Sequence, residues 1–554
     1  MTKLQYVNID NIAIDIIFPA DFINLVEPSL SKTALLTINN ESSFDNVEFD
    51  AVLKYKYSDD LYNQVHIINK AYNFGYVSDN KSESLEIWNA FFNNNKTITN
   101  ITLNNLNNVL LKDQFNNDYT LPIVIEPLKS ELFNINVNKN GDVTVNGNIN
   151  FTVAGLSLIT NVSLIRAILF DFDVNYLNNI TEYYDFYTEV LKSRNSTEQR
   201  ISYLTNARSS YEYFYTLDKK AKRDMDKILY SGFSSFIALP IYTQTTDIIN
   251  INDNILTLDI SNTMLQENQN IIIKDQINKE ILTVDYILDS NTVVLKSPVI
   301  NTYNYPKLIP IVNSRLDLEN TATRITNNVS NYSIRFNKEV DDIDPLKTNN
   351  ITDFNKIDNI RVLDIEPNRA EDIVYNYYRN MNILDNGTSR REFILNNNVS
   401  ELSFNYKYFG KDKNEISMIK NLFRENKGMF EDLYSYSYNN NFEIIENINI
   451  SATILKVEND NLTTYYKDNK IKYAVIKYFG INKIVEILDI YEINSEQEAI
   501  VISESFGVDL DVINIDSCQF VYRGRLGADQ LVLSYYNNSV ADTDLVFVKS
   551  SDIE

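Results

Sequence analysis

The sequence predicts a mainly β fold: a β-sandwich followed by two duplicated β-rich modules, each with one short helix. Three observations predict it. Two-residue alternation of apolar and polar side chains dominates the chain. Helical spacing is confined to short stretches. Residues near 171–242 return, degenerate but legible, near 364–436. A long-period repeat signals two similar modules.

Taken in order, residues 1–60 read as a β-rich leader. Its start, MTKLQYVNIDNIAIDIIFPADF, has acids interrupting the apolar run, so it does not read as a secretory signal. Residues 61–165 read as a sandwich. After an Asn140-Gly141 turn, Val143, Val145, Ile149, Phe151 and Val153 alternate with polar residues, as a half-buried strand requires. Module one spans 166–345 and module two 358–550. Between them 346–357, polar and acidic with a nearby proline, reads as a linker.

The two copies align by spacing. Asn175 and Asn368, Ile180 and Ile373, Tyr184 and Tyr377, and Leu191 and Leu384 are each 193 residues apart. Phe236 and Phe430, Leu239 and Leu433, and Tyr242 and Tyr436 are 194 apart. Arg315 and Arg525 are 210 apart. Ala221, Met225, Ile228 and Leu229 share one helical face in 219–231, as do Ile416, Ile419, Leu422 and Phe423 in 413–426. A third helix is expected at 369–379. Each main helix should lead into a strand carrying Phe236 and Leu239, or Phe430 and Leu433. Short strands are expected at 251–260, 271–274, 281–288 and 292–295. Their counterparts are 450–457, 471–478, 484–491 and 499–503. Two more should flank an Asn537-Asn538 turn.

Composition bounds the function. At 554 residues and 44% hydrophobic the chain can bury several cores, roughly three or four domains of about 150 residues. Net charge is −25, which repels phosphate and argues against binding nucleic acid through its backbone. Overuse of Asn, Ile, Lys and Tyr follows from an AT-rich codon bias. No apolar run is long enough to cross a membrane as a helix.

Reactive residues are scarce. The chain holds one histidine, His66, and one cysteine, Cys518, so neither a His/Cys zinc site nor a disulfide can be built. His66 lies in a strand-like run and reads as structural. No phosphate-cradling glycine motif occurs. Asp171, Asp173, Asn175, Leu177, Asn179 and Glu182 fall at calcium-loop spacing, but Tyr176 stands where the sharp turn needs glycine. Copy two has Tyr375 in place of the last acid, so the match reads as chance. No catalytic, cofactor or metal residue is assigned. The candidates are structural or interface residues. Glu198, Gln199, Arg200 and Arg208 could contact a neighbouring subunit or clamp two strands internally, the internal clamp being the simpler reading. Trp88, the only tryptophan, could be a sugar-stacking platform, though packing in the sandwich core is the simpler reading. Arg315 and Arg525 recur at matching places in the copies.

Four segments together resemble a family of tailed-phage, siphophage-like virion proteins of the distal tail or baseplate. They are FGYVSDNKSESLEIWNAFF; TEVLKSRNSTEQR followed by Arg208; FIALPIYT; and IKNLFRENKGMFEDLYSYSYNNNFEI with the closing RGRLGADQLVLSYYNNSVADTDLVFV. Leu204 and Ala207 stand where that family usually has a basic residue and a proline. The resemblance implies a non-enzymatic structural role without cofactor in the virion tail tip, in a protein made in the host cytoplasm. It implies an immunoglobulin-like N-terminal sandwich and a ring-like homo-oligomer. The neighbours it implies are tail tube, hub and fibre proteins, with no sequence-specific nucleic acid and no membrane insertion. The alternative expectation is a receptor-binding adhesin for cell-surface glycans, suited by 37 tyrosines; a glycan-cleaving enzyme is a third.

Overall fold

The computed structural model describes residues 61–550 apart from 195, 232–235, 340–343, 345, 347–353, 389, 397–399 and 468–470. The expected leader lies outside the described residues. The fold is mainly β, with 53% of residues in strands and 8% in helices, so sheets supply the cores.

Nine strands build the N-terminal body: β1 (Val65–Ile67), β2 (Ala71–Val77), β3 (Lys81–Asn89), β4 (Lys96–Asn104), β5 (Val109–Asp113), β6 (Ile123–Ile125), β7 (Ser130–Val137), β8 (Thr144–Val153) and β9 (Leu156–Leu169). One sheet runs β1-β3-β7-β5. The other runs β6-β4-β8-β9-β2, with β9 and β2 parallel. Leu85, Ile87, Phe133 and Ile135 of the first meet Ile149, Phe151 and Val162 of the second in a closed core. The alternation at 143–153 sorts as expected, except that Val143 precedes the strand and is exposed. The division at residue 165 falls inside β9, whose end continues into copy one as the parallel neighbour of a strand there.

Copy one contains β10 (Ile180–Asp185), β11 (Thr188–Lys192), β12 (Glu198–Ser202), β13 (Arg208–Asp218), α1 (Lys219–Ser231) and β14 (Phe236–Pro240). It continues through β15 (Thr246–Asn252), β16 (Ile255–Leu258), β17 (Asn270–Lys274), β18 (Lys279–Asp289) and β19 (Thr292–Leu295). It ends with β20 (Lys307–Leu316), β21 (Thr321–Arg324) and β22 (Val329–Lys338). Strands β15-β16-β19-β18-β17-β20 pair in a closed antiparallel circuit around a core of its own.

Copy two contains β23 (Lys356–Ile357), β24 (Ile360–Leu363), β25 (Val374–Tyr378), β26 (Met381–Leu384), β27 (Glu392–Leu395), β28 (Glu401–Gly410), α2 (Lys413–Asn426) and β29 (Leu433–Tyr436). Then come β30 (Ile454–Glu458), α3 (Leu462–Tyr465), β31 (Tyr473–Tyr478), β32 (Ile481–Asn494) and β33 (Gln497–Ile502). It closes with β34 (Ile515–Leu526), β35 (Gln530–Tyr535) and β36 (Ala541–Lys549).

The duplication holds pairing for pairing. The contacts β10–β13, β13–β22, β20–β22, β14–β20 and parallel β9–β14 recur as β25–β28, β28–β36, β34–β36, β29–β34 and parallel β24–β29. Hairpins β11–β12 and β26–β27 also correspond. Side chains repeat the match. Tyr213 donates to the Pro240 carbonyl at 3.2 Å, and Tyr406 to the Tyr436 carbonyl at 2.8 Å. Tyr242 donates to Phe172 O at 3.0 Å, and Tyr438 to Ile365 O at 2.7 Å.

These contacts correct part of the spacing argument. Ile237 pairs with Ser314 as Leu433 pairs with Gly524, so Leu433 is the counterpart of Ile237 and not of Leu239. Phe236, Leu239 and Tyr242 therefore match Asp432, Ser435 and Tyr438, two residues beyond Phe430, Leu433 and Tyr436. Phe430 precedes β29. A slip of two preserves the faces of a strand, so alternation alone could not see it. The expected helix at 369–379 is also corrected. Its Val374–Tyr378 portion is strand β25, because a Val/Tyr-rich segment finds a partner in β28. The other two helices fall where helical spacing put them. Met225 faces the core, as do Ile416, Ile419, Leu422 and Phe423. In the expected linker, Leu346 and Phe354 are buried in the common core, so those two residues are packed rather than solvated.

Candidate functional site

The two copies meet edge to edge. Strand β10 pairs with β13 on one side and with β35 of copy two on the other, from Ile180↔Tyr535 to Asp185↔Gln530. A single apolar core runs across both copies.

At the centre lies a buried ion pair. Glu182 of β10 and Lys420 of α2 are 2.6 Å apart, with side chains 0% and 3% exposed. Tyr184, two residues along the same strand face, donates to Glu182 at 2.8 Å, and Thr243 also donates to it. Burial alone would push the Glu182 carboxyl up. The Lys420 charge and the hydrogen bonds from Lys420, Thr243 and Tyr184 override this and hold it below its ordinary value. A buried carboxylate so surrounded stays ionised and ties β10 to the second copy.

Hairpin β11–β12 reaches from copy one across copy two. Alternation puts Glu198 and Arg200 on its inner face and leaves Gln199 exposed. Arg525 grips Glu198 with two hydrogen bonds, at 2.7 and 3.1 Å. Arg200 donates to Asp432 at 2.7 Å and to the Phe430 carbonyl at 2.9 Å, and Arg523 holds the other Asp432 oxygen at 2.7 Å. At the far end Lys192 and Ser196 both reach Glu401, each at 2.5 Å. Three arginines alternate with two carboxylates, which fixes the hairpin geometrically.

Asp529 closes the seam. Its carboxylate accepts from Thr188 N at 2.5 Å and from Met429 N at 2.8 Å, and its carbonyl accepts from Phe186 N at 2.8 Å. It can sit there because Gly428, in the left-handed region at φ 64°, follows the Lys427 cap of helix α2 and carries no side chain beside it. A Cβ on Gly428 would collide with a carboxylate oxygen of Asp529.

Of the residues singled out in the sequence, the structure brings Glu198, Arg200 and Arg525 together and leaves the others elsewhere. Arg208 opens β13, exposed and outside the clamp. Arg315 pairs with Glu339 and lies 4.0 Å over the Phe236 ring. Trp88 is outside the sandwich core, contrary to its simpler reading. It is half-buried on the outward face of β3, stacked on His66 at 5.6 Å and edge-on to Tyr62 at 6.2 Å. Leu85 and Ile87 take the inward places that strand alternation allows. In the calcium-like spacing Glu182 is committed to Lys420, and Asp171 pairs with Lys279 at 2.5 Å. Among the described residues no group of three potential metal ligands converges. Burial pushes the Cys518 thiol up to about 12. No described helix is long and apolar enough to cross a membrane.

Sequence reasoning missed Lys420 and Asp529, and met Glu182 only as the last acid of the calcium-like spacing. Lys420 carried a usable signal: it shares the apolar face of Ile416, Ile419 and Phe423, where a lysine demands a buried partner. No protein-family model and no curated protein matches the chain.

Proposed function

We propose that this protein is a structural subunit of a phage-like virion, at the distal tail or baseplate, where a ring of copies joins the tail tube to tip or fibre proteins. The observation supporting this is the duplication itself. The pairings of β9, β10, β13, β14, β20 and β22 and the hairpin β11–β12 in copy one recur in copy two, and what the copies share is strand core and tyrosine hydrogen bonds rather than reactive groups. Two such modules, locked together by Glu182–Lys420 and the Glu198–Arg525 clamp, form a tile that repeats by heterologous contact around an axis. The sandwich, immunoglobulin-like in this reading, would project as a docking module. The net charge of −25 suits a channel past which DNA slides without sticking. Electron microscopy of particles carrying a gold label on this protein tests the reading. Label at the tail tip is expected, and label on the capsid or on no particle overturns it.

A second reading has one observation in its favour. Tyr62, His66 and Trp88 cluster with Phe92, which is 52% exposed and 4.7 Å from the Tyr62 ring. An aromatic face of this kind can stack on sugars, as a glycan-binding adhesin requires. Saturable binding on a glycan array, lost in Trp88→Ala, supports it; no binding removes it.

A further inference from the structure

Among the described residues, two edge strands of the duplicated framework have one partner each, and they are the two halves of a pairing the chain has already made internally. The copy equivalences carry the β10–β35 contact onto other strands. Strand β25 holds the place of β10, since Val374↔Asn405 repeats Thr181↔Glu212. Strand β21 holds the place of β35, since Thr323↔Asn331 repeats Ser534↔Asp542. Among the described residues β25 pairs only with β28, and β21 only with β22.

We propose that a second copy of this chain closes these edges. Strand β25 of one protomer adds antiparallel to β21 of the next in the register of the internal contact, with Val374 opposite Thr323, Tyr375 opposite Ala322 and Tyr377 opposite Asn320. Three observations carry this. The first is exposure. Tyr184 is fully buried by β35, whereas its counterpart Tyr377 is 72% exposed. Val374 and Tyr378 on the same strand are 49% and 64% exposed. Beside β21, Leu318 stands where copy two has the seam residue Asp529, and it is 91% exposed. An edge with such residues is a template for strand addition.

The second observation is charge. In the internal contact Lys192 of the hairpin pairs with Glu401 at the start of β28. The counterparts are Asp385 and Arg208, with both signs reversed; Asp385 meanwhile holds Arg391 of its own hairpin at 2.6 Å and keeps a second carboxylate oxygen for Arg208 of the neighbour. Arg208 is exposed and makes no side-chain hydrogen bond or ion pair among the described residues. The third is the clamp. The places of Glu198 and Arg525 are taken by Arg391 and Arg315, a like-charged pair, and Glu339 on Arg315 supplies the carboxylate there.

Each added chain presents the same two edges again, so the contact is heterologous and grows until a ring closes. This deepens the ring reading above and rests on it for closure; the pairing itself rests on the internal contact. The full chain is tested by native mass spectrometry, with cysteines introduced as Val374→Cys and Thr323→Cys. Opposed strand residues lie within disulfide reach, whereas an out-of-register pair does not. Closed oligomers of wild type are expected, as are covalent multimers of the double variant on a non-reducing gel. Val374→Cys with Thr321→Cys should give almost none. Tyr377→Asp, at an exposed position, should leave a folded monomer and abolish association. A wild-type monomer at every concentration overturns the proposal. So does an oligomer indifferent to Tyr377→Asp and not cross-linked at 374 and 323. Open filaments through the same cross-link keep the pairing and overturn closure. Absence of the label from particles overturns the tail assignment and leaves this contact standing.

Discussion

Lys420 is the residue whose loss should cost most. It is the countercharge of Glu182, and both side chains are nearly inaccessible. Lys420→Met leaves a buried carboxylate without its cation, so chemical denaturation should show a loss of about 3–5 kcal/mol. Adding Glu182→Gln should recover much of it, because the stranded charge is gone. The pH dependence follows from the same pair. The Glu182 carboxyl is held below its ordinary value, so its contribution is complete above about pH 4.3 and is lost as pH falls through the folded value. Wild type should lose more stability than Glu182→Gln on acidification below about pH 4, read from urea midpoints across a pH series.

Elements carry the next level, and the clamp hairpin is the clearest. Strand β12 presents Glu198 and Arg200 to copy two while Gln199 faces away. Arg200→Ala removes charge-assisted hydrogen bonds from a side chain only 12% exposed, and should cost about 1.5–3 kcal/mol by denaturant titration. Gln199→Ala should be neutral within about 0.5 kcal/mol. The end of α2 makes a separate demand. Gly428→Ala combines a left-handed backbone with displacement of Asp529, and should destabilise by more than about 1 kcal/mol. Much of this level was legible in the sequence. The apolar faces of the two main helices, most short strands of both copies and the terminal hairpin were set by local periodicity; the strand expected at 251–260 is instead broken by a turn at Asp253-Asn254 into the end of β15 and β16, and the one expected at 450–457 begins only at Ile454. The strand at 374–378 was misread as helix because a five-residue Val/Tyr-rich run has no partner in its own neighbourhood.

At the scale of the molecule, one apolar core spans both copies and a second fills the sandwich. Strand β9 passes from one body into the other. Hydrogen exchange should therefore show the strands that share this core opening together at high free energy, with the sandwich and the β15–β20 circuit as separate cooperative units. If copy one and copy two open at clearly different denaturant concentrations, the shared core is not acting as one. The outer edges β21 and β25 should exchange fast in a monomer and slow down on self-association. That contrast links the stability of the tile to its assembly.

The sequence by itself determined the β class, the sandwich-plus-two-copies order, the two main helices and the scarcity of histidine and cysteine. These follow from composition and from periods of 2 and 3.6 residues, which are local. Only the tertiary structure decided the register between copies. A strand shifted by two residues keeps its buried and exposed faces, so Phe430 and Asp432 were equivalent candidates until Ile237 and Leu433 found their partners. It alone decided that Arg200 and Glu198 bridge two copies, because their partners lie more than 200 residues away. It also decided that Glu182 is a buried ion and that Tyr377 is an exposed counterpart of a core tyrosine. Burial and pairing of this kind depend on which strand lies alongside, and adjacency is set by the fold as a whole.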